Sequence, residues 1–260
     1  MDKLVIENLS KTFGTNAVLH DVSFTVHDGE FLSLLGPSGC GKTTILRILM
    51  GLDQADSGHI YKDGKEISNL YPSLRGMGIV FQNYALFENM TVKGNVEYAL
   101  KRKPQFKKEA SQIAEHMLEI VGLQDHMNKK PHKLSGGQQQ RVAIARTLAL
   151  QPDIILFDEP MSALDVDTRM TLRVELKELQ KRFGTTMIYI THDQEEAFAM
   201  SDRIMVLNEG RIHQLDTPQN IIDHPADAYV EQFVIKNIQM KIDSLIKFIH
   251  GDAMKAADNK

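Results

Sequence analysis

The chain has 260 residues, 42% of them hydrophobic and 25% charged, which suits one large globular domain or two closely packed ones and excludes a disordered polypeptide. Its formal net charge of -4, with no polybasic run, gives no lean toward nucleic acid or a lipid surface, so any membrane role must come through a protein partner. No apolar run approaches the ~20 residues that span a bilayer, and polar and acidic residues interrupt the N-terminal MDKLVIENLSKTF, so neither a transmembrane segment nor a signal peptide is expected and the cytosol is the expected compartment.

The opening segment reads as β-rich. Residues Asp21 to Val26 place Val22, Phe24 and Val26 on one face of a half-buried strand, and His27-Asp28-Gly29 turns that strand into the apolar run Phe31-Leu32-Ser33-Leu34-Leu35. Gly36 to Thr44 then read GPSGCGKTT, a G-x-x-x-x-G-K-[ST] phosphate loop, followed by the helix-like Ile45 to Met50. Strand, loop and helix in this order are the context in which the motif binds a nucleoside triphosphate. Its glycines let the backbone curve round an anion, and the N–H groups of Gly39, Cys40, Gly41, Lys42, Thr43 and Thr44, with Ser38 beside them, face it at the positive end of the helix. Lys42 is expected to neutralise β- and γ-phosphate charge and the Thr43 hydroxyl to bind Mg²⁺. Cys40 is the single cysteine, which excludes an internal disulfide and a cysteine-based zinc site; an adduct on it is expected to block the loop, and nucleotide to shield it.

From Thr91 to about Leu150 the periodicity is helical, with Ile113, Met117, Ile120 and Val121 on one face, so a helical insertion is expected between two halves of the nucleotide fold. Strand-like runs return at Ile154–Phe157, Thr186–Ile190 and Ile204–Leu207, alternating with helical stretches at Val166–Phe183 and Gln194–Ser201. That alternation predicts an α/β fold with a parallel sheet covered on both faces. Asp158 and Glu159 follow the first of these runs, at the end of a strand where such sheets present ligands. Asp158 is placed to hold Mg²⁺ and Glu159 to take a proton from an attacking water.

In order, GPSGCGKTT, Gln82 in IVFQNYALF, LSGGQQQR at Leu134–Arg141, ILFDEP, SALD at Ser162–Asp165 and His192 in THDQEEA resemble the ATPase subunit of an ABC transporter, over roughly residues 3 to 235. The resemblance implies a P-loop NTPase core with an N-terminal antiparallel β lobe and a helical subdomain, here about 91–150, within an ATP-binding domain of residues 1–236. It implies ATP and Mg²⁺ as cofactors. Phe13 is implied to stack on adenine with Val18 beside the ring. Gln82 is implied to reach Mg²⁺ and water, His192 to hold water and phosphate in line, and Asp165 to couple two sites. Ser135, Gly136, Gly137 and Gln138 form a second anion-binding helix start, which in the family closes on the nucleotide of a second copy, head to tail. A simple capped helix accounts for Ser135 but leaves the second glycine and the glutamine unexplained.

The apolar segment after Gln82, with Tyr84, Leu86, Phe87 and Met90, is implied to form the groove that receives a cytoplasmic helix of a transmembrane permease subunit, near Gln82–Met90. The leading expectation is the energy-coupling subunit of a bacterial importer, peripheral on the cytoplasmic face of the membrane, weakly nearest those for glycine betaine and polyamines, in a system that includes an extracytoplasmic solute-binding protein. The rivals are an exporter ATPase and a soluble non-transport ABC ATPase, of which the repair and translation kinds would carry coiled-coil insertions or a second cassette that this sequence lacks. No nucleic-acid partner is expected. About twenty residues follow Asn237, fewer than the ~40 of an independent domain. In segment 237–260, Ile238, Ile242, Leu245, Ile246 and Ile249 read as one apolar helical face expected to be docked, preferably in assembly.

Overall fold

In the computed structural model, residues 1–244 and 246 are described. In chain order the strands are β1 (Asp2–Phe13), β2 (Asn16–His27), β3 (Phe31–Leu35), β4 (Ser57–Lys62), β5 (Lys65–Glu66), β6 (Met77–Val80), β7 (Ile154–Asp158), β8 (Thr186–Thr191), β9 (Arg203–Asn208) and β10 (Arg211–Asp216). The helices used below are α1 (Lys42–Met50), α2 (Val92–Leu100), α3 (Ala110–Ile120), α4 (Gly136–Leu148), α5 (Val166–Phe183), α6 (Gln194–Met200) and α7 (Pro218–Asp223). An antiparallel sheet runs β2-β1-β4-β5, and a second sheet runs β10-β9-β3-β8-β7-β6. All pairings in the second sheet are parallel except that of β10 with β9.

The two-residue period of the parallel strands decides what lies on each face. Phe31, Ile155, Phe157, Met187 and Tyr189 join a core with α2 to α5. Leu32, Leu34, Ile154, Leu156, Ile188 and Ile190 point the other way and pack against α1 and the antiparallel sheet through Leu4, Ile6, Leu9 and Val22. Strands covered on both faces need unbroken apolar runs, and FLSLL and TMIYIT are buried at every position. In the chain, α2, α3 and α4 lie between β6 and β7, and the inner face of α3 is shifted from the expected one, though it keeps Met117 and Val121 inside. Ala110, Ala114, Met117 and Leu118 are buried, whereas Ile113 and Ile120 sit at the core margin. Alanine lets α3 approach α2 and α4 closely, and the larger isoleucines fit only at the edge.

The C-terminal segment also departs from expectation. Ala228–Val230 opens a helical run that continues as a π-helix over Glu231–Lys236 and as α-helix through residues 237–244, so no break falls at Asn237. Ile238 packs beside Val230 and Val234, but Ile242 and Ile246 are exposed, and the expected apolar face divides between protein and solvent. Leu245 and Ile249 lie outside the described residues.

One buried charge ties the β lobe to the phosphate-loop helix. Arg75, 3% exposed, donates from Nη1 to the carbonyls of Ile48 and Leu49 (2.8 Å each), from Nε to Leu70 O (2.9 Å) and from Nη2 to Ser68 O (2.8 Å). It thereby fills the open Leu49 carbonyl at the end of α1 and gives a second donor to Ile48 O, which also accepts from Gly51 N–H (3.0 Å). Arg75→Ala strips the Leu49, Leu70 and Ser68 carbonyls of this donor in a site closed to water, a loss of about 3 kcal/mol that should lower the melting temperature by about 6–12 °C. Calorimetry on the variant checks this, and an unchanged melting temperature would contradict the assignment of Arg75 as the tie.

Candidate active site

Four adjacent strands, in the order β3-β8-β7-β6, run the same way and release their chains at the same edge. The phosphate loop leaves β3, His192 leaves β8, Asp158 ends β7 with Glu159 just beyond it, and Gln82 lies two residues past β6. The sequence-predicted chemistry is therefore gathered by strand pairing alone.

The loop leaves its donors open. Gly39 and Gly41 take φ of +81° and +108°, values that exclude side chains, and Gly41 starts α1 with no side-chain cap. No protein acceptor meets the backbone N–H groups of Gly39, Gly41, Lys42, Thr43 and Thr44 among the described residues, whereas Ile45 N–H already reaches Gly41 O (3.0 Å). Such a concavity at a helix start attracts anions. Lys42, 4% exposed, folds back to donate to the carbonyls of Gly36 (2.8 Å) and Pro37 (2.9 Å), with Glu159 Oε1 4.0 Å away.

Thr43 Oγ1 donates to Asp158 Oδ1 at 3.2 Å, which places the two expected metal ligands side by side. Burial pushes the Asp158 carboxyl up, against the Thr43 hydrogen bond. Glu159 lies in the left-handed region at φ +43°, its N–H donating to Ile190 O (3.1 Å), an uncommon state for a side-chain-bearing residue. The turn aims its carboxylate between Lys42 and His192, whose Nδ1 is 3.0 Å from Glu159 Oε2. Gln82 Nε2 donates to Ser162 Oγ (3.0 Å), and that hydroxyl donates to the Glu159 carbonyl (3.0 Å). Ser162 thus joins Gln82 to the carboxylate turn, a link missed in the sequence because SALD drew attention to its aspartate.

Other expected residues fall farther out. Phe13 is 48% exposed at the β1–β2 turn with Lys11 Nζ 5.1 Å from its ring centre, and so is no core residue. Val18 is half-buried, and its carbonyl would lie 3.1 Å from a Cβ at Gly41, beside the phosphate loop. Ser135 caps α4 by accepting from Gln138 N–H (3.3 Å), while Gln138 Oε1 accepts from Ser135 N–H (3.1 Å). A Cβ on Gly137 would meet Thr168 Cγ2 at 2.6 Å. The capping box and this close approach to α5 account within one chain for the second glycine and the glutamine, which corrects the expectation that capping leaves them unexplained. Ser135 and Gly136 are exposed. Asp165 caps α5, accepting from Thr168 N–H (2.9 Å) and Oγ1 (2.7 Å).

Tyr84 and Leu86 are not free anchors. Tyr84 is buried in the core shared with the helical insertion and Leu86 packs against it, so of the expected groove residues only Phe87 is exposed, resting on Tyr98 (ring centres 4.5 Å apart), with Met90 half-buried. Arg146 holds this turn by donating to the carbonyls of Tyr84 (2.9 Å) and Ala85 (2.7 Å), both at positive φ. The C-terminal helix reaches the site from the other side. Gln194 Nε2 donates to Phe233 O in the π-helical segment, Lys241 pairs with Glu195 (3.2 Å), and a cleft of about 420 Å³ is lined by His192, Phe233, Met240 and Lys241.

The chain falls in a known protein class. The ABC transporter family profile matches residues 19–162, and the chain belongs to that family. It is 48% identical over 231 residues to the spermidine/putrescine import ATP-binding protein PotA of Marinobacter nauticus, covering 89% of this chain and 62% of that protein. It is 44% identical over 252 residues to the Fe(3+) ions import ATP-binding protein FbpC of Fusobacterium nucleatum, covering 97% of this chain and 67% of that one. The chain thus spans roughly two thirds of the length of these curated relatives. A solved structure described as the dimeric post-hydrolysis state of the ATP-binding cassette MJ0796 bound to ADP and Pi superposes with a TM-score of 0.74 at 35% identity, over 83% of this chain and 98% of that one.

Cys40 requires a second correction. Its side chain is 4% exposed beneath the loop, and burial pushes its thiol up despite Lys42 nearby, so it contributes backbone rather than an accessible thiol. Iodoacetamide should label Cys40 at least roughly tenfold more slowly in the folded chain than in urea, with or without nucleotide, because thiolate and access are both suppressed. Fast labelling of the folded protein, read by mass spectrometry, would contradict the buried placement.

Proposed function

We propose that the chain is the ATP-binding and hydrolysing subunit of an ABC importer, two copies closing head to tail over two ATPs to drive a transmembrane permease. The observation that carries the reading is the meeting of Lys42, Thr43, Asp158, Glu159, His192 and the Gln82–Ser162 pair at one sheet edge. Import is supported by the similarity to PotA and FbpC, whose names give them as import ATP-binding proteins, and a two-fold assembly by the dimeric cassette neighbour. No helix among the described residues is long and apolar enough to cross a membrane, so a membrane role needs the permease as anchor, on the cytoplasmic face. Phe87 and Met90 are the exposed and half-exposed parts of the surface assigned to it. An extracytoplasmic solute-binding protein completes the system.

The residues divide the work by position. The open N–H groups of Gly39, Gly41, Lys42, Thr43 and Thr44 bind the phosphates, and Lys42 exchanges the Gly36 and Pro37 carbonyls for phosphate oxygens. Phe13 offers an exposed ring to the base, and Ser135 and Gly136 offer an exposed helix start to the partner's nucleotide. Mg²⁺ fits the Thr43–Asp158 pair. Both donors are hard oxygens, Asp158 is buried where a cation restores its charge, and no three His, Cys, Asp or Glu side chains gather into an all-protein cage among the described residues. The ion supplies charge neutralisation to the phosphates. Glu159 takes a proton from water as the water oxygen bonds to the γ-phosphorus and the bond to the β-phosphate oxygen breaks, with ADP leaving. His192 and Gln82 hold that water and the γ-phosphate in line.

Glu159→Gln keeps the shape and removes the base, so ATP turnover should fall by roughly 10²- to 10⁴-fold while ATP still binds and the variant collects as an ATP-locked dimer. Gel filtration in saturating MgATP reads the dimer, and a variant that stays monomeric while hydrolysing at the normal rate would remove the base assignment. Lys42→Ala, which leaves the phosphate charge uncompensated in a buried site, should abolish binding or turnover in a folded chain. Nucleotide-binding calorimetry checks this, and normal activity would sink the phosphate-loop reading.

A further inference from the structure

His192 needs a fixed orientation, yet its own side chain is 54% exposed, and the one hydrogen bond of its ring among the described residues is with Glu159. Its backbone neighbours are held instead, and both bonds lead to one buried carboxylate in α6.

Glu196 is 3% exposed and accepts at Oε2 from two hydroxyls, Tyr189 Oη (2.8 Å) and Thr191 Oγ1 (2.8 Å). Tyr189 is fully buried on β8, and burial, then the Glu196 charge, push its hydroxyl well up, so it remains a donor. Thr191 has one hydrogen to give. Because it goes to Glu196, the threonine oxygen is left to accept, and it accepts from Asp193 N–H at 2.9 Å. Asp193 in turn caps α6 by accepting from Glu195 N–H (2.8 Å) and Glu196 N–H (3.3 Å), with Arg169 Nη1 3.6 Å from its carboxylate. The loop closes on itself. Residues 191 and 193 are bound on either side of His192 to a frame in which one Glu196 oxygen accepts from both the Tyr189 and Thr191 hydroxyls.

We propose that Glu196 is the positioning residue of this site, fixing His192 toward Glu159 through the Thr191 hydroxyl. The assignment rests on the ATPase reading above. Such a frame suits a ring that exchanges a carboxylate contact for a γ-phosphate contact during turnover, since the backbone stays in place while the exposed ring remains free to change partner. A displacement of about 1 Å at a group that aligns the reactants is enough to slow a reaction on the order of 100-fold without weakening substrate binding.

The test uses Thr191→Val, which keeps the shape of the side chain and deletes both links, together with Thr191→Ser, which restores the hydroxyl. With Thr191→Val, kcat for ATP hydrolysis should fall roughly 10- to 100-fold with KM changed less than about 2-fold, and Thr191→Ser should return kcat to within about 3-fold of the parent chain. In a His192→Ala chain, Thr191→Val should cost little further activity, because its effect runs through the ring that is already gone. An equal loss in both backgrounds, failure of serine to rescue, or unchanged kcat in folded Thr191→Val would each overturn the proposal. Glu159→Gln measured alongside separates the two readings: if it abolishes turnover while Thr191→Val is neutral, the positioning role alone fails, and if it leaves turnover intact, the ATPase reading fails.

Discussion

Parallel pairing of β3, β8, β7 and β6 is the constraint on which the rest of this structure depends. A parallel sheet puts every strand's carboxyl end on one edge, and Leu35, Thr191 and Asp158 arrive there in register through Leu35–Thr191 and Asp158–Ile190 pairs. Segments more than a hundred residues apart in the chain thereby meet within hydrogen-bond distance, as Thr43 and Asp158 do. The requirement falls first on the core. Each strand must be apolar on both faces, and the interior of the sheet carries few exceptions, notably Ser33, whose hydroxyl is bonded to Ser201 (2.6 Å), and Tyr189, bonded to Glu196.

Polar function is confined to the residues just past the strand ends, where the backbone also leaves regular geometry. Glu159 in the left-handed region, Gly41 at φ +108° and the paired positive-φ residues Tyr84 and Ala85 all lie on this edge or on the loops leaving it. The states of the side-chain-bearing residues are held by tertiary bonds: Glu159 by Ile190 O, and Tyr84 with Ala85 by the Arg146 guanidinium. A rigid, well-covered sheet makes such departures affordable, and they point the functional groups at a common space.

Much of this was legible from the sequence, for a physical reason. Buried parallel strands leave unbroken apolar runs, so FLSLL, IILF and TMIYI identify themselves, and a phosphate loop or a D-E pair at their ends follows. Strand β1 was less visible because its bulges at Ile6–Leu9 and Leu9–Thr12 break the two-residue alternation. Periodicity found α3 and two of its inner residues, Met117 and Val121, but not Ala110 and Ala114, since alanine carries little hydrophobic signal while permitting the closest helix contact. The apolar letters of YALF suggested an open groove, whereas Tyr84 and Leu86 fill the chain's own core; composition gives apolarity without saying which side covers it. Relays such as Gln82–Ser162–Glu159 and Tyr189–Glu196–Thr191 were beyond reach, because they join side chains through space with no spacing rule in the chain.

The signature segment shows how one set of residues answers two demands. Ser135 and Gln138 spend their mutual hydrogen bonds on capping α4, and Gly137 is small because α5 passes against it at Thr168. Neither requirement extends to Gly136 in the same degree: its nearest neighbour to an added Cβ is the flexible Leu164 side chain at 3.1 Å, and the residue is exposed. A glycine at an exposed helix start, beside an exposed capping serine, leaves the backbone N–H edge of α4 approachable from outside the chain. Internal packing thus explains why the segment folds as it does and leaves its first turn exposed. On the head-to-tail assembly proposed above the two accounts are complementary, since a loop that presents donors to another molecule in a fixed orientation first has to be rigid in its own subunit.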